Sequence, residues 1–220
     1  LIVAEVSSPS LKQDLEFLSA VKKRFPETHI NIVGPHATVF HQCLIEEQDF
    51  IDTVCRQYYC ETLPELLLAI ANKRPLSAVG GISFNENGRC SVTPSRPMIR
   101  NLDDLPRPAR HLLDPRRYIM GHYTYKPQLL MMTSMGCPGK CIFCIWPQIT
   151  YRGKVRMRHP EAVADEMIFL KKEYGAREIY FDDDTFNLNE HRVLALCEIM
   201  IRKKTGIPWI TEMRADRLSP

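Results

Sequence analysis

The chain has 220 residues, 45% hydrophobic and 25% charged, with 29 basic against 26 acidic side chains and a formal net charge of +3. These are the proportions of an ordinary globular chain of one or two domains, and the small, dispersed charge argues against a nucleic-acid partner. No apolar run approaches a membrane span, and no secretion signal opens the chain.

Eight cysteines in such a chain read as thiols of a reducing cytoplasm rather than a disulfide framework. The chain starts at Leu1 inside a strand-like run without Met and stops at Pro220 just after another, so a piece of a longer protein is expected.

Residues 1–6 are β-branched and apolar and predict a buried strand. Ser7, Ser8, Pro9 and Ser10 form a turn and cap, and Leu11, Leu15, Leu18 and Val21 recur at helical spacing to about Arg24. Residues 30–33 predict a second buried strand, ended by a Gly34-Pro35-His36 loop. A third short strand fits residues 50–55, and a helix opens at Thr62 with Pro64 in its first turn and runs to about Ala71. Strand–helix–strand order with loops at the strand C-termini is the α/β doubly wound pattern, which places Ser7, Ser8, Gly34 and His36 on the rim where ligands bind. The plainer alternative is that Ser10 caps a helix and Gly34 permits a turn.

Residues 77–84 and 89–92 flank a turn at 85–88 and predict a hairpin. Prolines then thicken from Pro94 to Pro127, which predicts an extended linker between a domain of residues 1–93 and one of residues 128–220. Asp103 and Asp104 read there as solvated turn carboxylates. Arg152 to Arg158 read as a solvated or anion-facing loop. Residues 129–133 predict a strand, Pro160 to Gly175 a helix and its stop, and residues 178–181 a second strand ending in Asp182, Asp183 and Asp184. Asn189 caps a further helix closed by Gly206, and residues 208–213 make a third strand. This β-loop-α-β-α-β order is the start of a parallel (β/α) barrel, with its chemistry at the strand C-termini.

Cys137, Cys141 and Cys144 stand at C-x3-C-x2-C spacing just past the first of these barrel strands, with Gly136, Pro138 and Gly139 around them. Thiolates ligate iron–sulfur clusters, and small residues let a loop wrap closely around an inorganic core. A disulfide needs an even count, and structural zinc takes four ligands. Three ligands on a four-iron cube would leave one iron open to a substrate or cofactor.

The loop, with an aromatic residue immediately before its last cysteine, resembles the signature of the radical SAM superfamily. The resemblance implies that Cys137, Cys141 and Cys144 hold a 4Fe-4S cluster, that its open iron chelates S-adenosylmethionine, and that Phe143 lies near the adenine. The run from Phe181 to Phe186 resembles the F-x-D-D-T-F signature of members with an upstream cobalamin-binding domain. That implies Asp183 and Asp184 near S-adenosylmethionine and leaves Asp182 open. Glu212 and Arg214, at the third strand end, would face that cofactor or substrate. Equally, Arg214 pairs with Glu212 or Asp216 as a surface salt bridge.

The serine turn and the Gly-Pro-His loop resemble the second half of that cobalamin-binding domain, which implies Ser7, Ser8, Gly34 and His36 around the nucleotide tail of cobalamin. A Gly-Glu-Gly-Glu-like turn usual there is replaced by residues 56–61. Residues 101–106 resemble the family's linker.

The expected fold class is α/β: a partial doubly wound, flavodoxin-like domain, then the start of a partial TIM barrel. The implied activity is reductive cleavage of S-adenosylmethionine to a 5′-deoxyadenosyl radical in a cytoplasmic enzyme. The outcome would be methyl transfer from methylcobalamin, as in class B radical SAM methyltransferases, or cyclisation or rearrangement, as in the anaerobic magnesium-protoporphyrin ester cyclase type. The implied partners are a small-molecule, lipid or tetrapyrrole-like substrate and an electron donor such as flavodoxin or ferredoxin. A non-catalytic cobalamin or iron–sulfur binding module, or an inactive fragment, is the alternative.

Overall fold

The computed structural model describes residues 1–118 and 121–218; Ile119 and Met120, within the proline-rich segment, and Ser219 and Pro220, past the third barrel strand, lie outside the described residues. The chain divides into two compact units, Leu1–Met98 with Lys140–Arg152, and Ile99–Gly139 with Gly153–Pro220.

In the first unit, β1 (Ile2–Glu5), β2 (Ile30–Val33) and β3 (Thr53–Cys55) run parallel, and the hairpin of β4 (Ile82–Glu86) and β5 (Arg89–Val92) adds antiparallel to β3, giving the order β1-β2-β3-β4-β5. Successive β2 residues face opposite sides of the sheet. Ile30 and Ile32 pack with Leu18, on α1 (Leu11–Arg24), and with Ala37, Leu44 and Ile45. Val33 packs on the other side with Cys55, Leu66 and Ala69. Helices therefore cover both faces, as a doubly wound sheet requires.

Two expectations need correction here. The Gly-Pro-His stretch is no open loop: Pro35 stands at the first position of α2 (Pro35–Val39), where its fixed φ suits a helix, and Thr38 Oγ1 donates back to the Gly34 carbonyl at 2.9 Å. A further short helix, α3 (His41–Glu47), follows directly and buries Leu44 and Ile45. The helix opened by Thr62 is α4 (Thr62–Ala71). The hairpin arm starts at Ile82 rather than 77, because residues 76–78 form a 3-10 turn. Past the cysteines, Trp146–Ile149 make α5, with Pro147 in its first turn.

In the second unit, β6 (Gln128–Met131) leads to β7 (Ser134–Met135), which pairs antiparallel with β8 (Arg156–Met157). Then come α6 (Pro160–Tyr174), β9 (Glu178–Phe181), α7 (Glu190–Lys203) and β10 (Trp209–Thr211). The three longer strands form a parallel sheet in the order β10-β9-β6.

Each helix is bounded as its sequence dictates. Pro160 opens α6 and Gly175 closes it at φ 65°. Asn189 caps α7, its side chain accepting the Arg192 N–H at 3.0 Å. Lys204, in the left-handed conformation, ends α7 before Gly206 is reached. Val163, Met167 and Leu170 of α6 and Leu196 and Met200 of α7 close on Leu129, Met131, Ile179 and Phe181. Burying each such side chain is worth about 1.5–3 kcal/mol.

The proline-rich segment is tied down along this second unit. Arg107 lies over the Phe169 ring at 4.3 Å, and the Thr124 and Tyr125 N–H groups donate to Glu178. Asp103 is not a solvated turn residue. It accepts from Arg158 Nε at 3.0 Å and from the His159 N–H at 2.7 Å, presented by an Asn101 side chain that accepts the Asp103 N–H. Arg158, expected in a solvated basic loop, is accordingly ion-paired and largely buried. No described helix is long and apolar enough to cross a membrane.

Candidate cofactor site

The C-terminal ends of β6, β9 and β10 lie side by side, and their extensions carry the groups picked out from sequence. Beyond β6, Asp183 fixes the approach to the cysteine loop. Only 3% exposed, it accepts from the Thr133 N–H, Thr133 Oγ1 and Ser134 Oγ, each at 2.6 Å. Asp184 accepts the Gly136 N–H at 2.7 Å, and Gly136 takes φ 99°, a turn that a side chain would strain. Burial holds the Asp184 carboxyl above the ordinary carboxylate range, outweighing that hydrogen bond. Cys137 follows, half-buried, its Sγ 3.5 Å from Thr185 Oγ1 and accepting the Gly139 N–H at 3.3 Å.

Asp182 turns the other way, onto the face shared by Tyr180 and Glu212. Partial desolvation first, then the Glu212 and Asp183 charges, raise its carboxyl. Tyr180 donates to Glu212 Oε1 at 2.9 Å, and desolvation followed by that bond pushes the phenol up to about 12. Arg214 makes a two-point pair with Asp216, at 2.9 and 2.8 Å, so of the pairings left open the Asp216 bridge is the one formed. Its N–H is held by Asn187, which also donates to the Arg214 and Arg217 carbonyls and so ties the β9 end to the β10 end.

Cys141 and Cys144 fall in the first unit, joined by the Cys144 N–H donating to the Cys141 carbonyl at 3.1 Å. Phe143 between them is 89% exposed. No cysteine of the loop is in a disulfide, and among the described residues no three His, Cys, Asp or Glu side chains are gathered into a metal-holding group. The donor set itself, three half-buried thiols within eight residues of a glycine-containing loop, fits an iron–sulfur cluster by its chemistry.

On the rim of the first unit, Ser8 Oγ lies 2.8 Å from His36 Nδ1 and Ser7 Oγ 2.7 Å from Ser10 Oγ. Burial lowers the His36 imidazole. Gly34 sits at φ 105° with its backbone pressed on β1, where a Cβ would come 3.0 Å from the Val6 carbonyl oxygen.

Sequence reasoning missed Thr133, Ser134, Asn187 and Arg192. Arg192 donates to the Thr133 carbonyl at 2.6 Å, and burial lowers its guanidinium. The hydroxyl pair just ahead of the cysteines was the visible signal for the first two.

A parallel α/β unit whose first strand leads to Cys137 and whose second ends in carboxylates has the layout of the start of a cofactor-binding (β/α) barrel. Residues 131–217 match the Radical SAM superfamily. That match implies a 4Fe-4S cluster and S-adenosylmethionine as cofactors.

The chain is 31% identical over 216 residues to an uncharacterized methyltransferase of Pyrococcus horikoshii, covering 98% of this chain and 46% of that protein. It is 29% identical over 197 residues to the anaerobic magnesium-protoporphyrin IX monomethyl ester cyclase of a Synechocystis, covering 89% of this chain and 38% of the cyclase. It therefore spans less than half the length of these relatives. Among solved structures, the cobalamin-dependent S-adenosylmethionine radical enzyme OxsB, with aqua-cobalamin and S-adenosylmethionine bound, superposes with a TM-score of 0.77 at 19% identity, over 100% of this chain and 31% of OxsB. The radical S-adenosylmethionine methyltransferase TsrM of Kitasatospora setae, with tryptophan substrate and a SAM analogue bound, gives 0.66 at 17% identity over 90% of this chain and 37% of TsrM. The chain shares their fold.

Proposed function

We propose that the chain is part of a radical SAM enzyme that carries out methyl transfer to, or cyclisation or rearrangement at, an unactivated carbon with the help of cobalamin. The observation that carries this reading is the three-cysteine loop leaving a parallel strand, with its first residues pinned by Asp183 and Asp184.

Cys137, Cys141 and Cys144 would hold the cluster, and exposed Phe143 would lie against the adenine. Bound together, cluster and S-adenosylmethionine supply one-electron cleavage of the sulfonium and a carbon radical that removes hydrogen from substrate. The protein's part is to position and shield. Asp183 has three donors on its carboxylate, so it acts through Thr133 and Ser134 rather than by reaching outward. Asp184 shapes the turn at Gly136. Asp182 and Glu212 keep acceptor capacity and together suit a cationic group, and Tyr180 orients Glu212. Arg214, paired with Asp216, would face the carboxylate end of the cofactor or the substrate. Ser7, Ser8, Gly34 and His36 would border the nucleotide tail of cobalamin. A flavodoxin or ferredoxin would supply the electron, and the substrate would be a small-molecule, lipid or tetrapyrrole-like compound.

Anaerobic reconstitution tests the reading. The expected result is about four irons per chain with sulfide in equal amount, a brown chromophore, and loss of both in Cys137→Ala, Cys141→Ala and Cys144→Ala variants. Reductive cleavage of S-adenosylmethionine by the full-length protein supports the enzyme. A cobalamin spectrum without iron uptake overturns the reading in favour of a binding module.

A further inference from the structure

The order β10-β9-β6 leaves one edge of β6 without a strand partner among the described residues. Two of its backbone acceptors there are nevertheless engaged. The Met131 carbonyl accepts from Asp182 on the β9 side at 3.0 Å, so the carbonyls of Leu130 and Met132, one residue to either side, project from the opposite edge. Arg110 Nη2 donates to the Leu130 carbonyl at 2.7 Å, and Arg158 Nη1 donates to the Met132 carbonyl at 3.1 Å.

The two guanidiniums are bridged by one carboxylate. Glu166, on the inner face of α6 and 2% exposed, takes Arg110 on Oε1 at 3.1 Å and Arg158 on Oε2 at 2.6 Å. Arg158 also pairs with Asp103, so both ends of the arrangement run back into the proline-rich segment. A strand edge with bare carbonyls invites another strand, and charged side chains are a recognised way of closing it. A buried Arg–Glu–Arg triad adds little net stability, but removing one partner strands buried charge, so its members hold one another in place. Here it fixes the two carbonyls immediately ahead of Thr133 and the cysteine loop.

We infer that Arg110, Glu166 and Arg158 form a positioning clamp: it closes the free edge of β6 with side chains instead of a strand and so sets the exit of the chain toward Cys137. The three are positioning residues, and their bearing on cofactor loading rests on the cluster reading above. The proline-rich segment is then a wall of the barrel rather than a tether. No strand can add to β6 at Leu130 or Met132 while the clamp is closed.

Hydrogen–deuterium exchange on the whole chain tests this apart from any cofactor. Glu166→Gln keeps the volume but removes the charge that joins the two arginines. It is expected to speed exchange across residues 128–136 by about ten- to a hundredfold, the weight of a charge-assisted hydrogen bond, with β4, β5 and the C-terminal half of α7 unchanged. Arg158→Lys keeps the charge yet cannot reach Asp103, Glu166 and the Met132 carbonyl from one planar group, and should behave likewise. Arg110→Lys, on a 3-10 turn apart from the sheet and its helices, serves if the buried variant does not fold.

After iron loading, Glu166→Gln should lose iron faster than the parent and show a broadened electron paramagnetic resonance signal. Unchanged exchange at 128–136, or an equal rise in both units, overturns the clamp. A parent chain that takes up no iron, with the local exchange effect intact, overturns the cluster reading and supports the clamp.

Discussion

Replacing Asp183 by alanine removes a carboxylate that satisfies three donors at 2.6 Å in a site only 3% exposed. Each buried donor left without a partner costs about 1–3 kcal/mol. Neighbouring losses do not add fully, because the two hydroxyls can turn toward each other. Arg192 also loses the counter-charge that most favours its buried guanidinium. The net cost should be about 3–5 kcal/mol, as for breaking one side of a buried charged pair, and a large part of the stability of an ordinary domain.

Asp183→Asn keeps one carbonyl oxygen for the Thr133 N–H, and its amide can donate to hydroxyls free to accept, so about 1–2 kcal/mol is expected. The assay is urea unfolding followed by Trp209 fluorescence in a Trp146→Phe background. Trp209 lies 5.3 Å from both Phe181 and Phe186 and reports on the second unit. A midpoint for Asp183→Ala within about 1 kcal/mol of the parent, at unchanged slope, would refute the claim that Asp183 anchors the loop.

Asp182 gives a prediction of opposite sign. Its folded carboxyl is raised, so the native chain holds that proton more tightly than the unfolded one, and stability falls as pH rises from the unfolded value of 3.8 through the raised one. Asp182→Asn should therefore stabilise the chain at neutral pH and give no gain below pH 3.8; thermal melts across that window that move in parallel contradict it. Gly34→Ala must place a Cβ 3.0 Å from the Val6 carbonyl oxygen at φ 105°, and should cost about 1–3 kcal/mol, read from the urea midpoint of the first unit. Phe143→Ala removes an 89% exposed ring, so its melting curve should match the parent's within about 0.5 kcal/mol. Calorimetry on the iron-loaded full-length protein should show S-adenosylmethionine held up to about tenfold more weakly, the weight of one aromatic stacking contact.

The elements legible in sequence are those whose signals are local. Pro160 with Gly175, and Asn189 with its accepted Arg192 N–H, gave the bounds of α6 and the start of α7, because a cap and the orphan groups it satisfies lie within a few residues. The three barrel strands were legible for a similar reason: each is a short apolar run between breakers. What escaped is what needs a distant partner. Asp103 looks like any turn carboxylate until Arg158 and His159, more than fifty residues on, come to it. Glu166 sits in the middle of an amphipathic helix where a charge reads as surface, yet both of its partners arrive from outside α6. The paired β7 and β8 are two residues each, too short for any periodicity. At the rim, a proline after a glycine reads equally as a turn or as a helix start, and only the packing of Ala37 beneath α2 decides for the helix.

The run of three aspartates shows how one short stretch can meet several needs at once. Adjacent carboxylates repel, and burying all three on one side would be prohibitive. The two-residue period of β9 carries past Phe181 and divides them. Ile179 and Phe181 face the helices, so Asp183, next in that series, lands among Thr133, Ser134 and the Arg192 charge, where donors are plentiful. Tyr180 and Asp182 belong to the opposite series and meet Glu212 instead, whose charge adds to the rise of the Asp182 carboxyl. Asp184 comes where the strand has ended and is held by a backbone N–H. The same alternation that lets the run fold therefore sorts it into an inward anchor, a loop anchor and an outward acceptor. Shifting the run by one residue would put either the Asp182 carboxylate into the helix-facing place of Phe181 or the Phe181 ring into the place of Asp182 beside Glu212, so the order of residues 181–184 is set by strand geometry as much as by chemistry.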